Sequence, residues 1–370
     1  MDYQELANKI KIWAKELGFE KVGIADVDLS EHEQALQDWL DAGYHGDMDW
    51  MERHGMMRAR PDELLPGTIR VISARMHYLP ENAQFASTLN NPELGYISRY
   101  ALGRDYHKVV RTQLKKLGEK IQAEAETLQF RPFVDSAPIL ERPLAQNAGL
   151  GWTGKHSIIL DEDVGSWFFL GELLVNIPLP VDTPSKNQCG KCQACKTSCP
   201  TNAIISDGVI DSRKCISYLT IEYSGVIPEE FRKPMGNRIY GCDDCQLVCP
   251  WNRVSPLTNQ SDFSRRSVFD NPSLIDLFSW DEKTFLKNLE GSPIRRIGHE
   301  QWLRNIAIAM GNAPFSPTLI MALEARKGFS PLLDVHVDWA MEQQAIKDNS
   351  PSRAHARLIR IVEKGLPRDA

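Results

Sequence analysis

The feature that most restricts this chain is its cysteine content, because all eight cysteines lie between Cys189 and Cys249. The first run has the spacing C-x2-C-x2-C-x3-C followed by proline, which is typical of bacterial ferredoxins. In that arrangement three close thiolates hold one [4Fe–4S] cluster, and the fourth reaches a second cluster. Structural zinc normally uses two C-x2-C pairs separated by a dozen or more residues, so the spacing favours iron–sulfur clusters over zinc.

A second run, C-x2-C-x3-C followed by proline, and the single Cys215 complete the cysteines and predict two sites with four thiolates each. By the ferredoxin rule, the last cysteine of each run binds the opposite cluster. The first thiol set is therefore predicted to be Cys189, Cys192, Cys195 and Cys249, and the second thiol set Cys199, Cys215, Cys242 and Cys245. Two neighbouring clusters suit a one-electron relay, so a further group must receive the electrons.

Length and composition indicate a folded protein with about two or three domains. The 370 residues can bury a core without disulfide bonds, and 42% hydrophobic and 25% charged residues are globular averages. The 43 basic and 49 acidic residues give a net charge of −6, which argues against a chain that coats nucleic acid through bulk charge. A local basic face is still compatible with this balance.

The N-terminal sequence MDYQELANKIKIWAKELGF reads as an amphipathic helix with acidic residues throughout. It has neither the apolar core of a secretory signal nor a twin-arginine signal, so we expect a cytoplasmic protein. The most apolar stretch, residues 164–180, is interrupted by Glu172, Asn176 and two prolines. It is too short to cross a bilayer, and no membrane span is predicted.

Three regions follow from the pattern along the chain. Residues 1–180 alternate helical and strand-like segments and predict an α/β domain. Residues 181–256 form a ferredoxin-like domain that begins after a proline-rich joint. Residues 257–370 are predicted to be all-α, because Ser-Pro pairs at 292, 316, 330 and 350 mark repeated helix starts. These helices fit a short HEAT-type array, with an ordinary helical bundle as the alternative.

The segment GLGWTGK at residues 149–155 contains both G-x-G-x-x-G and G-x4-G-K, so a nucleotide site has to be considered. A phosphate-binding loop runs from a strand into a helix. This segment leaves a helix that ends near Asn147 and enters a strand at Ser157, and His156 stands where the phosphate loop has Ser or Thr. We therefore predict a glycine-rich turn.

Three polar features are ambiguous when each is taken alone. Asp135 follows the strand-like FRPFV segment and could be a helix cap, or a proton donor whose pKa is raised by apolar neighbours. The segment RYALGRDYH at residues 99–107 fits a polar pocket or a surface loop. Arg58, taken alone, likewise fits either a functional site or an ordinary surface position. Neither D-x-H-x-x-G nor H-E-x-x-H occurs, so a histidine-ligated cobalamin site and a zinc protease are unsupported.

Taken together, the motifs resemble those of the epoxyqueuosine reductases. Besides both cysteine runs, they are YHGDMDWM (44–51), RARPDELLP (58–66), YALGRDYH (100–107), VDS (134–136), AGLGWTGK (148–155) and WLRNIAIAMGN (302–312). The resemblance runs from end to end of the chain. It implies a cobalamin-dependent iron–sulfur enzyme that reduces the epoxide of epoxyqueuosine at the wobble position of tRNA, the last step of queuosine synthesis.

The resemblance also implies an architecture and a set of site residues. It implies a nitroreductase-like α/β cobalamin domain, a two-cluster ferredoxin domain and a HEAT-like tail. Cobalamin would be bound base-off with no protein histidine in place of its tail base, and electrons would pass through both clusters to cobalt. Asp135 occupies the position of the family's proton donor. By motif position, the residues placed around the corrin are Arg58, Ser98, Asp135, Ser157, Ser217 and Asp243.

The expected partners are tRNA and an unidentified electron donor, and the chain is expected to be a monomer. Arg353, Arg357 and Arg360 fall on one helical face, continued by Lys364 and Arg368, and could bind phosphates or be merely solvated. The alternative basic group is Arg265, Arg266, Arg295 and Arg296. Tyr100 or Tyr106 could stack on the modified base once it has left the anticodon stack.

Two rival functions use the same cysteines. A reductive dehalogenase also combines cobalamin with two clusters, but such enzymes typically carry a twin-arginine signal, which this N-terminus lacks. A non-enzymatic carrier of electrons needs the cysteines alone and leaves most of the chain unexplained.

Overall fold

The computed structural model describes residues 1–346 and 353–365, which form a mixed helical and sheet fold. The helices are α1 (Tyr3–Glu16), α2 (Glu33–Asp41), α3 (Asp49–His54), α4 (Pro61–Leu64), α5 (Phe85–Asn90), α6 (Tyr106–Glu124), α7 (Glu141–Asn147), α8 (Ala194–Ser198), α9 (Ile216–Ile221), α10 (Glu229–Met235), α11 (Asp244–Leu247), α12 (Leu274–Ser279), α13 (Glu282–Asn288), α14 (Gly298–Asn312), α15 (Pro317–Glu324), α16 (Pro331–Ala345) and α17 (Arg353–Gly365). The strands are β1 (Lys21–Ala25), β2 (Arg70–His77), β3 (Tyr96–Ile97), β4 (Phe130–Phe133), β5 (Trp152–Thr153), β6 (Ile159–Leu160), β7 (Phe168–Val175), β8 (Ile204–Ser206), β9 (Val209–Ile210) and β10 (Arg238–Tyr240).

The main sheet has the strand order β1-β2-β7-β4, and each pair in it is antiparallel. The central strands β2 and β7 are buried over nearly their whole length, because helices cover both faces of the sheet. The predicted strands at 22–25, 69–76, 130–134 and 167–175 are confirmed. Their antiparallel pairing was not predicted, since the hydrophobic pattern of a strand does not specify the direction of its neighbours.

Helices α1 and α6 cover one face of this sheet, and α7 covers the other. Gly171 on β7 lets α6 approach closely, since a Cβ there would lie 2.7 Å from a methyl carbon of Val110. Glu172 follows it in the same strand and points to the opposite face, where α7 lies. An acidic side chain is thereby placed inside the apolar layer between β7 and α7.

The glycine-rich segment after α7 forms the β5–β6 hairpin rather than a phosphate loop. Gly151 has φ +153 and lies against the backbone of Leu160, where a side chain would clash. The chain therefore runs from a helix into a hairpin, and the prediction of a glycine-rich turn is confirmed.

The cysteine segment is tied to the rest of the molecule by a short parallel pairing of β10 with β3. This pairing places the Cys242–Cys245 loop beside residues 96–99. Asn237 strengthens the joint, because its side-chain amide donates to the carbonyls of Thr88, Asn91 and Leu94 at 2.8, 3.2 and 3.0 Å.

The C-terminal helices α12, α14, α15 and α16 pack on one another around Trp302 and Leu303. Two of the predicted Ser-Pro starts are confirmed, because Pro317 and Pro331 begin α15 and α16. The pair at 292 begins a 3-10 turn that precedes α14, and the pair at 350 lies outside the described residues.

The last helix does not continue this stack. Helix α17 packs against α5 and α11, and its Leu358, Ile359 and Val362 belong to the same core as α1 and α6. Residues 257–370 were predicted as one region, whereas their final helix returns to the N-terminal part of the chain.

Candidate iron–sulfur and proton-transfer site

The thiols of the first set are neighbours in space, although Cys249 is far from the others in sequence. Burial and the nearby thiols of Cys189, Cys195 and Cys192 raise the pKa of the Cys249 thiol to about 12. The indole nitrogen of Trp152 lies 3.4 Å from the sulfur of Cys189, and Trp251 packs against the same group. Cys192 is exposed to solvent.

The thiols of the second set form another group, which is more deeply enclosed. Burial raises the pKa of Cys245 well above its ordinary value, and the nearby thiols of Cys215 and Cys199 raise it further. Burial also raises the pKa of Cys242, with Asp244 and Cys245 contributing. Cys195 of the first set acts on Cys245 as well, so the two groups are adjacent. Such thiols become thiolates when a metal coordinates them.

In residues 1–346 and 353–365, no three His, Cys, Asp or Glu side chains lie close enough together to hold a single metal ion.

A cavity of about 1020 Å³ lies against the second thiol set. All four of its cysteines line the cavity, and none of the first set does. Of the predicted cofactor contacts, Ser98, Ser157, Ser217 and Asp243 line the cavity, whereas Arg58 and Asp135 do not.

Asp243 is anchored between the cavity and the strand β3. Its carboxylate accepts hydrogen bonds from the hydroxyls of Tyr96 and Ser98 and from the backbone N–H of Arg99, at 2.7, 2.5 and 2.9 Å. Burial raises the pKa of Asp243, and these hydrogen bonds oppose the shift. The loop that carries Cys242 and Cys245 is thereby fixed to residues 96–99.

Arg58 lies behind the cavity wall. Its buried guanidinium donates to the carbonyls of Trp50, Met51 and Ala137 at 2.7, 3.2 and 3.5 Å. The backbone carbonyl of Arg58 accepts from Leu140, which lines the cavity. The structure therefore places Arg58 where it supports the wall through backbone groups.

Asp135 sits at the centre of a separate polar network. It has φ +49, and its half-exposed carboxylate accepts from the Tyr106 hydroxyl at 2.5 Å and contacts Nε2 of His107 at 3.0 Å. Nδ1 of His107 lies 2.7 Å from the carboxylate of Asp105, the N-cap of α6. Both ring nitrogens of His107 thus face carboxylates, which is the environment of an imidazolium.

The ionisation of this network differs from the sequence-based expectation. Burial alone would raise the pKa of Asp135, but hydrogen bonds from His107 and Tyr106 and the charges of His107 and Arg296 hold it below its ordinary value. The pKa of His107 is raised to about 9, because its two carboxylate partners outweigh burial. Near neutral pH the proton therefore resides on His107. The expectation that apolar neighbours keep Asp135 itself protonated was wrong, because its nearest neighbours are a cation and a hydroxyl.

Two further carboxyl groups lie beneath Asp135. The backbone N–H of Asp135 donates to Oε1 of Glu141 at 2.5 Å, and the buried side chain of Glu172 lies beside Glu141. Burial raises the pKa of Glu172 well above its ordinary value, and the charge of Glu141 adds to this shift. Burial and the charge of Asp135 raise the pKa of Glu141 to about 7. The raised pKa of Glu172 favours its neutral form beside the carboxyl group of Glu141.

Aromatic rings connect this network to the cavity. Tyr106 stacks on Phe169 and on His107, with ring centroids 4.1 Å apart in each pair. Its ring is thus occupied by protein neighbours, so the suggestion that Tyr106 stacks on a base conflicts with the structure. Tyr100 lines the cavity and meets Tyr106 edge to face at 5.9 Å.

The arginines suggested for tRNA fall into different environments. Arg353, Arg357 and Arg360 are exposed on α17, as their helical spacing predicted, while Arg368 lies outside the described residues. Arg265 pairs with Asp270 at 2.9 Å, and Arg266 donates to the carbonyls of Gly103 and Asn288. Arg295 is exposed. Arg296 pairs with Glu222 at 2.6 Å and helps to lower the pKa of Asp135, so it belongs to the Asp135 network.

The sequence reasoning missed Glu141, Glu172 and Arg296 as members of this network. Glu172 carried a signal, since it is an acidic residue inside the apolar strand Phe168–Val175. Nothing local distinguishes Glu141, which reads as an ordinary acidic first-turn residue of α7.

Comparison with known proteins gives matches along the whole chain. A family model described as epoxyqueuosine reductase QueG, DUF1730 matches residues 58–136, and one described as a 4Fe-4S double cluster binding domain matches residues 188–252. Curated epoxyqueuosine reductases of Vibrio cholerae and Escherichia coli are 75% and 65% identical over all of this chain, and cover 100% and 99% of their own lengths.

Solved structures give the same result. A crystal structure of epoxyqueuosine reductase with an epoxyqueuosine-modified tRNA-Tyr stem loop has a TM-score of 0.83 at 25% identity, covering 97% of this chain and 98% of that one. A structure of the Bacillus subtilis enzyme, whose catalytic aspartate loop is swung out of the active site, has a TM-score of 0.82 at 25% identity over 97% and 98% of the two chains. In the described part of this chain, no helix is both long and apolar enough to span a membrane.

Proposed function

The chain belongs to the epoxyqueuosine reductase family, and we propose that it removes the epoxide oxygen of epoxyqueuosine at the wobble position of tRNA to give queuosine. The observation that carries this function is full-length identity of 75% and 65% to curated epoxyqueuosine reductases. A carrier of electrons alone would not need the cavity or the Asp135 network, so this rival is not favoured. A reductive dehalogenase is not favoured either, since these relatives share the entire chain.

Each thiol set fits one [4Fe–4S] cluster. The match to a double-cluster domain over residues 188–252 covers all eight cysteines. Cys249 lies among Cys189, Cys192 and Cys195, and Cys199 lies with Cys215 and Cys245, which supports the exchange of the last cysteine between runs.

The cavity fits cobalamin, the cofactor implied by the resemblance. Its volume is at the upper end of ligand pockets, which are roughly 300–1000 Å³. Ser157 and Ser217 supply hydroxyls for a ligand rich in amide groups, Ser98 positions Asp243 in the cavity wall, and the second thiol set opens onto the same space. When bound, cobalamin supplies a metal centre that accepts single electrons and reduces the epoxide. His156 also lines the cavity, but its Nδ1 accepts a hydrogen bond from the N–H of Ile158, which leaves the proton on Nε2. Neither ring nitrogen is then free to bind cobalt, in agreement with a cobalamin that has no histidine ligand.

The proton for the departing oxygen comes from the Asp135 network. His107 stores the proton, and Asp135 stands between His107 and the open side of the network. A proton that moves from Nε2 of His107 to Asp135 turns Asp135 into the acid that protonates the oxygen. Tyr106 donates to the same carboxylate and holds its orientation. Glu141 accepts from the backbone of Asp135 and keeps this residue in its left-handed conformation.

The finer architecture and the partners belong to the same proposal. The α/β part is nitroreductase-like, and the stack α12 to α16 is HEAT-like. A base that enters the cavity meets Tyr100, which lines it and contacts Tyr106 and Phe169 edge to face rather than by stacking. The exposed face of α17 with Arg353, Arg357 and Arg360 contacts tRNA phosphates. The enzyme acts as a monomer in the cytoplasm, where its substrate is located.

The test is anaerobic reconstitution with iron, sulfide and cobalamin, followed by reduction of an epoxyqueuosine-containing tRNA stem loop with dithionite as electron source. We expect queuosine in the product nucleosides. Retention of both clusters and cobalamin without any epoxide reduction would contradict the function. Replacing Arg353, Arg357 and Arg360 by alanine should also reduce the salt dependence of stem-loop binding, with a change in logarithmic slope of up to about three.

A further inference from the structure

The two thiol sets differ in their access to solvent. All four thiols of the second set face the cavity, while the first set contributes none to it. In the first set Cys192 is exposed, and within residues 1–346 it is the one exposed cysteine of the eight. Electron transfer slows steeply with distance, so electrons must enter where a cluster comes close to the surface. The electron path consistent with both observations enters from solvent at the first thiol set, passes to the second thiol set and ends at the cavity.

The segments that hold the first set are locally basic. Residues 183–206 contain Lys186, Lys191 and Lys196 and no acidic residue. Residues 245–261 contain Arg253 and again no acidic residue. The chain as a whole has more acidic residues (49) than basic residues (43), so two segments without any carboxylate differ from the rest of the sequence.

Most of these cations are free to meet a partner. Lys196 is paired with Asp207 at 2.9 Å, and the same aspartate pairs with Lys155. Lys186, Lys191 and Arg253 are exposed, and no carboxylate of the described chain lies within 4.0 Å of their charged nitrogens. The nearby Glu162 is bound to the side-chain amide of Gln188 at 2.8 Å.

An apolar residue accompanies the charges. Val254 follows Arg253 and is 62% exposed, although the tryptophan at 251 beside it packs on the first thiol set. Lys186, Lys191, Cys192, Arg253 and Val254 are all exposed and lie within five residues in sequence of a first-set cysteine, or are one, and we call them the first-cluster face. Transient redox complexes bury small areas, and complementary charge steers their encounter, so a few cations around an exposed edge are sufficient.

We propose that the first-cluster face is the docking surface of the electron donor, and that this donor is a small acidic one-electron carrier protein of the flavodoxin or ferredoxin class. The inference rests on the proposed function. Each docking event oxidises the carrier by one electron and reduces the first cluster by one. Removal of the epoxide oxygen as water takes two electrons and two protons, so two docking events serve one turnover. A polyanionic tRNA on the same face would block the exposed edge of the cluster, which argues against tRNA as its occupant.

The experiment uses the reconstituted enzyme and purified flavodoxin in its fully reduced form as the probe. Loss of cluster absorbance is followed by stopped flow at several salt concentrations, and binding of oxidised flavodoxin is measured separately. We expect Lys191→Glu, alone or with Lys186→Glu, to slow reduction by flavodoxin on the order of tenfold at low salt and to weaken its binding similarly. Rates with dithionite, which is a small anion and needs no docking surface, should fall much less than the rates with flavodoxin.

The matched control is Lys116→Glu, an equal change of charge at an exposed residue of α6, which packs against α1 and the sheet. This variant should behave like the unaltered enzyme. Equal flavodoxin rates and affinities in all variants would overturn the docking proposal, as would a loss of tRNA stem-loop affinity with unchanged flavodoxin kinetics. Dithionite-driven epoxide reduction tests the proposed function in the same samples, so the failure of one is distinguishable from the failure of the other.

Discussion

The thiol sets and the Asp135 network differ in how far each is local in the sequence, and we have proposed that the first carry electrons and the second supplies protons. The thiols all come from residues 189–249, and their spacing alone indicates two clusters. The Asp135 network joins Asp105, His107, Glu141, Glu172 and Arg296, which lie on different elements. Loss of a thiol should therefore remove a whole cofactor, whereas changes in the network should alter rates and their pH dependence while the cofactors stay bound.

The largest effect is expected from Cys245→Ser. Cys245 has thiols of both sets as neighbours, and a buried serine hydroxyl is a poor cluster ligand. Iron should fall from about eight to about four atoms per chain, and epoxide reduction should be lost. Iron analysis and visible absorbance measure this, with the exposed Ser206→Ala as the control. Full iron content with normal turnover would break the assignment of Cys245 to a cluster.

Asp135→Asn should leave both clusters and cobalamin in place and still lower turnover on the order of 100- to 1000-fold. An amide cannot pass a proton from His107 to the substrate, and general acid catalysis contributes about 10²–10⁴. Turnover on the tRNA stem loop is the measurement, and Asp62→Asn, an exposed residue of α4, is the control. Normal turnover in Asp135→Asn would remove Asp135 from the mechanism.

His107→Gln should have a smaller effect that depends on pH. The pKa of His107 is about 9 in the folded protein and 6.5 ordinarily, so its favourable charge is fully present below 6.5 and disappears as the pH rises through 9. The unaltered enzyme should therefore lose kcat/KM above about pH 9, and the variant should lack this decline while turning over roughly tenfold more slowly. If the decline persists in the variant, another group stores the proton.

Glu172→Gln is expected to change stability more than rate. The folded-state pKa of Glu141 is about 7 and that of Glu172 is higher, whereas 4.5 is ordinary, so this pair destabilises the fold increasingly as the pH rises above 4.5. Removing one carboxyl should stabilise the chain by about 1 kcal/mol at pH 8 and much less at pH 5.

Thermal unfolding of the Glu172→Gln variant at pH 8 and pH 5 measures this change in stability. The control is Glu126→Gln, at an exposed position. Turnover should change less than threefold, because Tyr106 and His107 hold the carboxylate of Asp135 and Glu172 does not. A stability gain that does not depend on pH would contradict the raised pKa values of Glu141 and Glu172 as the cause of the destabilisation.

The sequence also predicted the strands of the main sheet, because buried strands produce runs of apolar residues whatever their partners are. It did not predict that these strands are antiparallel or that α17 returns to the N-terminal core. Both depend on which surfaces meet after folding. The placement of Arg58 is a similar case. Its motif predicted that Arg58 lies near the site, but only the structure shows that its guanidinium binds backbone carbonyls behind the cavity wall.

What the sequence by itself determined is the cluster chemistry, because metal-binding thiols must be near each other and local spacing records this directly. The ionisation of the proton-transfer network was decided only by the tertiary structure. A pKa depends on the charges and the burial around a group, and His107 and Glu141 reach Asp135 only when α6, α7 and the segment after β4 are packed together. The charged surroundings that lower the pKa of Asp135 and raise that of His107 are therefore a property of the fold.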